Sequence, residues 1–367
     1  MLQPLAPVQQ TATLSDLAWR LTRLGYAEYV KSFNPLSIGS TRWLTAPVAI
    51  PGRIVNLAAL FLFGMPVERR LVDEDIGDFI AGLVDLGILI ETDGVVVTSG
   101  IILVPIANIW LFVSRPRANA LLYVGDDSIG MLWRQSVRPG GRCLDLCSGP
   151  GLQALGASTV AGHVDAVEIN PVAMALAQLN VTMNRRDDRI TVHLGSLYQP
   201  VLGTTYDNII ANPPFLPVPD SLNYPFVGSG GPDGLRVVSQ ILDGLPRALA
   251  PDGIAQIICA LPSDGARPSK DSIARLQSWC SVTGFDLLIS TPAHIPMHRG
   301  SFFFEGLVQT ALAASGGDVD AMRDAMEAAY QGSGNSHVAS CFLHATRGSG
   351  RLQVANLDHR HGSLWFI

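Results

Sequence analysis

Two short segments of this chain combine residue types and spacing suited to a cationic small-molecule donor and a nitrogen acceptor. The first runs Arg142-Cys143-Leu144-Asp145-Leu146-Cys147-Ser148-Gly149-Pro150-Gly151. It reads as an apolar strand passing through a glycine turn, where backbone can come close to a ligand, into a helix. Asp145, inside the end of that strand, speaks to the ligand's charge: it repels a pyrophosphate and tolerates a sulfonium carrying an amino group. The second segment, Asn208-Ile209-Ile210-Ala211-Asn212-Pro213-Pro214-Phe215, is another apolar strand ending in a stiff polar-aromatic element. Its two prolines remove two backbone donors and leave carbonyls free to accept. Together with the side-chain oxygen of Asn212, a carbonyl can hold both hydrogens of an –NH2 group and aim its lone pair forward. Phe215 offers a ring face to a planar group. An amide or an exocyclic base amine, whose lone pair is delocalised, needs such orientation.

Each feature has a plainer reading. A glycine turn between strand and helix also serves dinucleotide enzymes, but their G-x-G-x-x-G pattern fails here because Ala154 stands at the third glycine. Glu168 closes the next strand, where a carboxylate can accept both hydroxyls of a ribose; alternatively it caps a helix or is solvated. Asn-Pro-Pro can be simple loop punctuation. Cys143 and Cys147 flank Asp145 at a spacing that is no zinc signature and suits core packing. His294 and His298 have the spacing of one helix face, but Pro296 lies between them, so surface or packing roles are expected and no metal is implied.

The elements that must position these residues follow from periodicity. From Arg142 onward, strands at 142–146, 164–168, 190–194, 206–211, 254–261 and 285–290 alternate with helical segments. That order predicts a parallel sheet with helices on both faces, completed by an antiparallel strand at 337–346. Upstream, a helix is expected from Leu14 to Gly25, another between Pro47 and Phe63, and a third over 73–86, with Asp93-Gly94 as the turn of a hairpin. Helices followed by a hairpin resemble a winged-helix module. Asp73, Glu74, Asp75, Asp78 and Asp85 make its presumed recognition helix acidic, which argues against DNA reading. Ile101–Val113 is apolar but too short to span a bilayer, so it is expected as buried sheet or a packing segment. Asp127 or Ser128 caps a helix running to about Val137, or their loop folds over the cofactor. The expected domains are 1–114, a helical or winged-helix-like substrate or docking unit; 115–346, the α/β domain; and 347–367, a surface tail.

Bulk properties agree with two ordered domains. The chain has 367 residues, 48% hydrophobic and 15% charged, with a net charge of −6. That balance gives no general attraction to nucleic acid. Five scattered cysteines suit reduced thiols. With no signal peptide visible, a cytoplasmic location and no membrane partner are expected.

Taken together, the two segments resemble the class I S-adenosylmethionine-dependent methyltransferases. More narrowly, they are similar to the N-methyltransferases of the small-domain type, which include release-factor glutamine and rRNA guanine N2-methyltransferases. The resemblance covers roughly Tyr123–Leu261, with an extension to 337–346, and Gly230-Gly231-Pro232-Asp233-Gly234-Leu235 is similar to the glutamine branch. It implies a Rossmann-like, doubly wound, seven-stranded, mostly parallel sheet, with S-adenosyl-L-methionine as cofactor. It also implies that Asp145, Cys147, Gly149 and Gly151 surround the methionine end and that Glu168 holds the ribose. Ser196 and Leu197 would lie at the adenine, and Asn212, Pro213 and Phe215 would hold the target nitrogen. Ser196 departs from the acidic residue usual in the family, and the N-terminal module differs from the usual helical substrate domain. The acceptor stays open between a protein glutamine, a nucleobase and a small metabolite. Two alternatives are a non-catalytic scaffold that binds the cofactor and a nicotinamide oxidoreductase.

Overall fold

A computed structural model describes residues 11–32, 54–115, 124–331, 335–357 and 364–365. In the first part, helices Thr11–Arg23 and Tyr26–Lys31 precede a short helix Ile54–Leu57 that widens into a π turn, Ala58–Leu62. Of the helix expected between Pro47 and Phe63, residues 47–53 lie outside the described residues, and 54–62 are helical. Strand β1 (Val67–Glu68), helix Asp73–Asp85 and strands β2 (Leu89–Thr92) and β3 (Val95–Thr98) then build a small antiparallel sheet in the order β1-β3-β2. The expected turn joins β2 to β3: Asp93 and Gly94 both have positive φ, at 51° and 71°, the twist a two-residue hairpin needs.

The apolar run at 101–113 is a second hairpin, β4 (Ile101–Ile106) and β5 (Ile109–Ser114). Its turn, Ala107-Asn108, adopts positive φ at both residues without a glycine, and so carries little sequence signal. Nearly every residue of the hairpin is buried. Tyr26 stacks on Trp110 and meets Phe61 edge-on, with its hydroxyl donating to the Leu103 carbonyl at 2.6 Å.

The remainder is α/β. Strands β6 (Arg142–Leu146), β7 (His163–Glu168), β8 (Ile190–Leu194), β9 (Tyr206–Ala211), β10 (Leu249–Ser263), β11 (Phe285–Pro296), β12 (His337–Arg347) and β13 (Leu352–Asn356) form one sheet. Their order is β13-β11-β12-β10-β9-β6-β7-β8. All neighbours pair in parallel except along β12, which is antiparallel to β10 and β11. The sheet is therefore mostly parallel, with the antiparallel strand where it was expected. It has eight strands rather than seven, because Leu352–Asn356, placed by sequence in a surface tail, pairs with β11. Helix Phe302–Ser315 was also not anticipated. With Val319–Gln331 it forms a helical pair between β11 and β12. Since β11 runs parallel to β10, that pair is inserted at the same sheet edge as the carboxyl ends of β6, β7 and β9.

Strand order reverses between β6 and β9. The chain works outward through β7 and β8, then returns beside β6 and works the other way. A ligand crevice forms at such a switch point, outside the carboxyl ends of the strands. Leu146 pairs with both Val167 and Ala211, so Cys147, Glu168 and Asn212 emerge side by side there. Among the described residues no helix is long and apolar enough to cross a membrane.

Candidate functional site

Asp145 is fully buried at this edge. Its Oδ2 accepts from the Ala154 amide at 2.9 Å, in the first turn of helix Leu152–Ala157. Its Oδ1 is buried with no hydrogen-bond partner among the described residues. Burial pushes its carboxyl well above the ordinary carboxylate range, and the charge of Glu168 adds to the shift against the Ala154 bond. A buried acid with an unpartnered oxygen marks a place prepared for a positive or donating group. The Ser148 hydroxyl, in the turn that follows, is also buried without a hydrogen-bond partner among the described residues.

The turn itself holds backbone in conformations that leave space. Cys147 has φ 57° and Gly149 φ 52°, and a Cβ built on Gly149 would meet nothing within 4 Å. Room at a glycine beside an orphaned acid fits a ligand's approach rather than close chain packing. The Cys147 thiol is pushed up, first by burial and then by the charges of Glu168 and Asp145, so it stays neutral there. Glu168 takes part in holding the turn: Oε2 accepts from Gly149 at 2.8 Å and Oε1 from Asn170 at 2.8 Å. Each carboxylate oxygen keeps a second lone pair for a hydroxyl donor. Ser196 and Leu197 follow β8, and Leu197 has φ 47° in the turn leading to Tyr198. The structure thus brings Asp145, Cys147, Gly149, Gly151 and Glu168 to one rim, with Ser196 and Leu197 beyond the end of the neighbouring strand.

Asn212 is anchored in a way the sequence did not reveal. Its Nδ2 donates to Asp127 Oδ2 and to Ser128 Oγ, both at 3.1 Å. Asp127 and Ser128 are buried at the start of helix Asp126–Arg134. Ser128 caps the helix start as expected, its Oγ accepting from the Gly125 amide at 3.5 Å, and beyond that expectation the two residues hold the side chain of Asn212 by its amino end. Since both donor hydrogens are used, Oδ1 is left as the acceptor for a ligand. The same helix is tied to the glycine turn, because Gln153 Nε2 donates to the Ser128 carbonyl at 2.8 Å while Gln135 donates to Gln153 Oε1 at 2.7 Å. The two halves of the crevice are therefore mechanically linked.

Phe215 and the loop after it are clamped from two sides. Its ring meets Trp365 edge-on at 5.4 Å, and Trp365 in turn meets Phe342 at 5.7 Å. Gly234, with φ 72°, lies so close beneath that a Cβ would fall 2.1 Å from the Ala260 carbonyl and 2.7 Å from that of Phe215. The 230–235 segment noted in the sequence thus shapes the loop after Asn212. Tyr330, in the inserted helical pair, donates its hydroxyl to the Pro217 carbonyl at 2.5 Å. Trp365 lies in the part of the chain read as a tail, and is 4% exposed. His359 and His361, which the sequence suggests are solvated, lie outside the described residues.

His294 is not at this site. Its Nδ1 lies 2.6 Å from Ser263 Oγ and its Nε2 3.2 Å from Asn356 Oδ1. It joins β10, β11 and β13, the packing role expected of it, while His298 lies near the surface against the Arg299 carbonyl.

One titration is exposed to test. The Asp126 carboxyl is pushed up to about 7, by burial first and by the Asp127 charge second, against the Asp127 backbone amide. Between the ordinary carboxylate value and about 7, the folded protein keeps a proton that the unfolded chain has lost. This contribution to stability therefore falls as pH rises through that window. Asp126→Asn should raise the melting temperature of the free protein at pH 8 by about 3 °C or more and by less than half as much at pH 5, as read by thermal denaturation. An equal effect at both pH values would refute the buried charge.

Residues 131–289 match the family model described as methyltransferase small domain. Among curated proteins, the chain is 38% identical over 130 residues to a ribosomal protein uL3 glutamine methyltransferase from Bradyrhizobium diazoefficiens, covering 33% of this chain and 40% of that one. It is 30% identical over 156 residues to a release factor glutamine methyltransferase from Thermosynechococcus vestitus, covering 39% and 52%. The chain thus spans between two-fifths and about half of these relatives' lengths.

Proposed function

We propose, from the methyltransferase small domain that residues 131–289 of this chain carry, that the protein is an S-adenosylmethionine-dependent N-methyltransferase acting on a protein glutamine side chain. The observation that carries this reading is the anchoring of Asn212. With Nδ2 committed to Asp127 and Ser128, Oδ1 is held as one acceptor, and a carbonyl of the Pro213-Pro214 loop, which has no amide hydrogens of its own, would supply a second. Two fixed acceptors select a group with two hydrogens on one nitrogen and turn its lone pair outward. The curated relatives are glutamine methyltransferases by name, and a carboxamide is the acceptor whose delocalised lone pair gains most from such orientation.

When bound, S-adenosylmethionine supplies a methyl group on a sulfonium that a nitrogen lone pair can take in one displacement. Asp145 and the Ser148–Gly151 turn hold the methionine end through the free Oδ1 and the open backbone. Glu168 accepts from the ribose hydroxyls while its existing bonds to Gly149 and Asn170 keep it in place. Ser196 and Leu197 lie toward the base. Asn212 and Pro213 fix the acceptor nitrogen and Phe215 stacks on its plane, so the chain's contribution is positioning and electrostatics. The acceptor's proton leaves once the nitrogen is cationic, and no side chain need act as a base.

We also read residues 1–114 as the unit that docks the acceptor-bearing protein and 115–346 as the catalytic domain. The reading is tested by incubating the protein with methyl-labelled S-adenosylmethionine and cell-extract fractions, followed by tandem mass spectrometry. A single methyl on a glutamine side-chain nitrogen is expected. Methyl found on a nucleobase or a small amine would replace the acceptor class, and no transfer to any fraction would favour the scaffold alternative.

A further inference from the structure

The β4–β5 hairpin is joined to the catalytic domain by two asparagine side chains acting as a surrogate strand. Asn180 and Asn184 stand one turn apart at the end of helix Pro171–Met183. Asn184 Oδ1 accepts from the Trp110 amide at 2.9 Å and its Nδ2 donates to the Trp110 carbonyl at 2.7 Å. Asn180 repeats the pattern on Phe112, at 2.8 Å and 3.0 Å. The match has a metric cause: four helical residues rise about 6 Å, and two strand residues advance about 6.6 Å. A carboxamide offers one acceptor and one donor, as a backbone partner does. The residues facing Trp110 and Phe112 across the hairpin are Pro105 and Leu103. Pro105 has no amide to give, and the Leu103 carbonyl points away from β5 to Tyr26, so the Trp110 and Phe112 groups are turned outward for the helix to take.

The two asparagines differ in the second amide hydrogen. Asn184 donates it to the Asn180 carbonyl of its own helix at 2.7 Å. Asn180 donates it to the Pro150 carbonyl at 2.8 Å, in the middle of the glycine turn. Asn180 has no exposed surface, so one buried carboxamide touches both β5 and the turn read as the donor site.

We propose that Asn180 is a positioning residue that couples docking of the N-terminal unit to the shape of the Ser148–Gly151 turn, so that donor binding and hairpin docking strengthen each other. The proposal rests on the donor-site reading of that turn. Coupling of this kind is reciprocal: whatever docking does for donor affinity, the donor must do for docking.

The test is hydrogen–deuterium exchange on the full chain, with and without saturating S-adenosylhomocysteine, alongside calorimetric affinities of two variants. Slower exchange over 145–151 on ligand addition, together with slower exchange over 109–114, is expected. Asn180→Ala should weaken S-adenosylhomocysteine by about fivefold or more, the worth of one buried hydrogen bond, and Asn184→Ala by less than about twofold, because it keeps the Pro150 bond. Protection over 145–151 without protection over 109–114 would overturn the coupling and leave the donor site standing. Equal weakening by both variants would also overturn it, by showing a general loss of docking. Absence of protection over 145–151 would remove the donor-site reading and the coupling with it. The exchange arm uses the unmodified protein, so the question is decided even where Asn180→Ala does not fold.

Discussion

Asn212→Ala should lower methyl transfer by at least about a hundredfold, the scale on which a misplaced reacting group is felt, while leaving the affinity for S-adenosylhomocysteine within about twofold, since in this account no donor contact is lost. The side chain is 85 and 84 residues from its anchors, Asp127 and Ser128, yet both take its amide hydrogens. Alanine removes the oriented Oδ1, and the acceptor nitrogen then samples geometries in which its lone pair stays conjugated. Asn212→Asp is the informative companion. It keeps an oxygen at the site but cannot donate to Asp127, and it sets a second carboxylate against that one. It should fall as far as alanine. Activity retained in the aspartate variant would mean that the oxygen alone suffices and that the anchoring by Asp127 and Ser128 has no part in orientation. Initial rates with labelled donor, paired with calorimetry, separate the two effects.

Asp145→Asn should do two opposite things: stabilise the free protein and cripple donor binding. The carboxyl is wholly buried, its Oδ1 has no partner among the described residues, and its ionisation is strongly disfavoured by burial. Asparagine is nearly isosteric. Its oxygen can keep the Ala154 amide bond, and it removes the cost of a buried charge. A rise in melting temperature of about 3 °C or more at pH 8 is expected. The same change deletes the negative oxygen that a cationic amino group would meet, a charge-assisted bond worth about 10- to 100-fold in affinity. Stability gained with function lost is the signature of a site whose strain is part of its purpose. A variant that is both less stable and unimpaired in binding would show Asp145 to be a plain structural acid.

Much of the site was legible because its parts are local. Asp145, the glycine turn, Glu168 and Asn212–Phe215 each sit at or just beyond a strand end, and a parallel sheet brings such ends to one edge whatever lies between them. The antiparallel β12 was legible for the same reason, through its alternation. What stayed hidden depends on contacts between distant segments. Asp127 and Ser128 looked like ordinary helix-start residues, since nothing nearby in sequence says that Asn212 will reach them. Trp365 and β13 lie in a stretch whose short pattern gains meaning only from the partners it meets, Phe215 and β11. Asn180 sits in a mostly apolar helix, and its value is visible only once β5 and Pro150 are seen on either side. The Ala107-Asn108 turn escaped because it lacks the glycine that usually announces such a hairpin.

The most direct test of the account is a calorimetric titration of S-adenosylhomocysteine into the wild-type protein and into Asp145→Asn, with both confirmed as folded by their melting curves. Saturable one-to-one binding to the wild type is expected, with an affinity lower by about 10- to 100-fold in the variant. No binding to the folded wild type, or equal affinity in the two proteins, would contradict it.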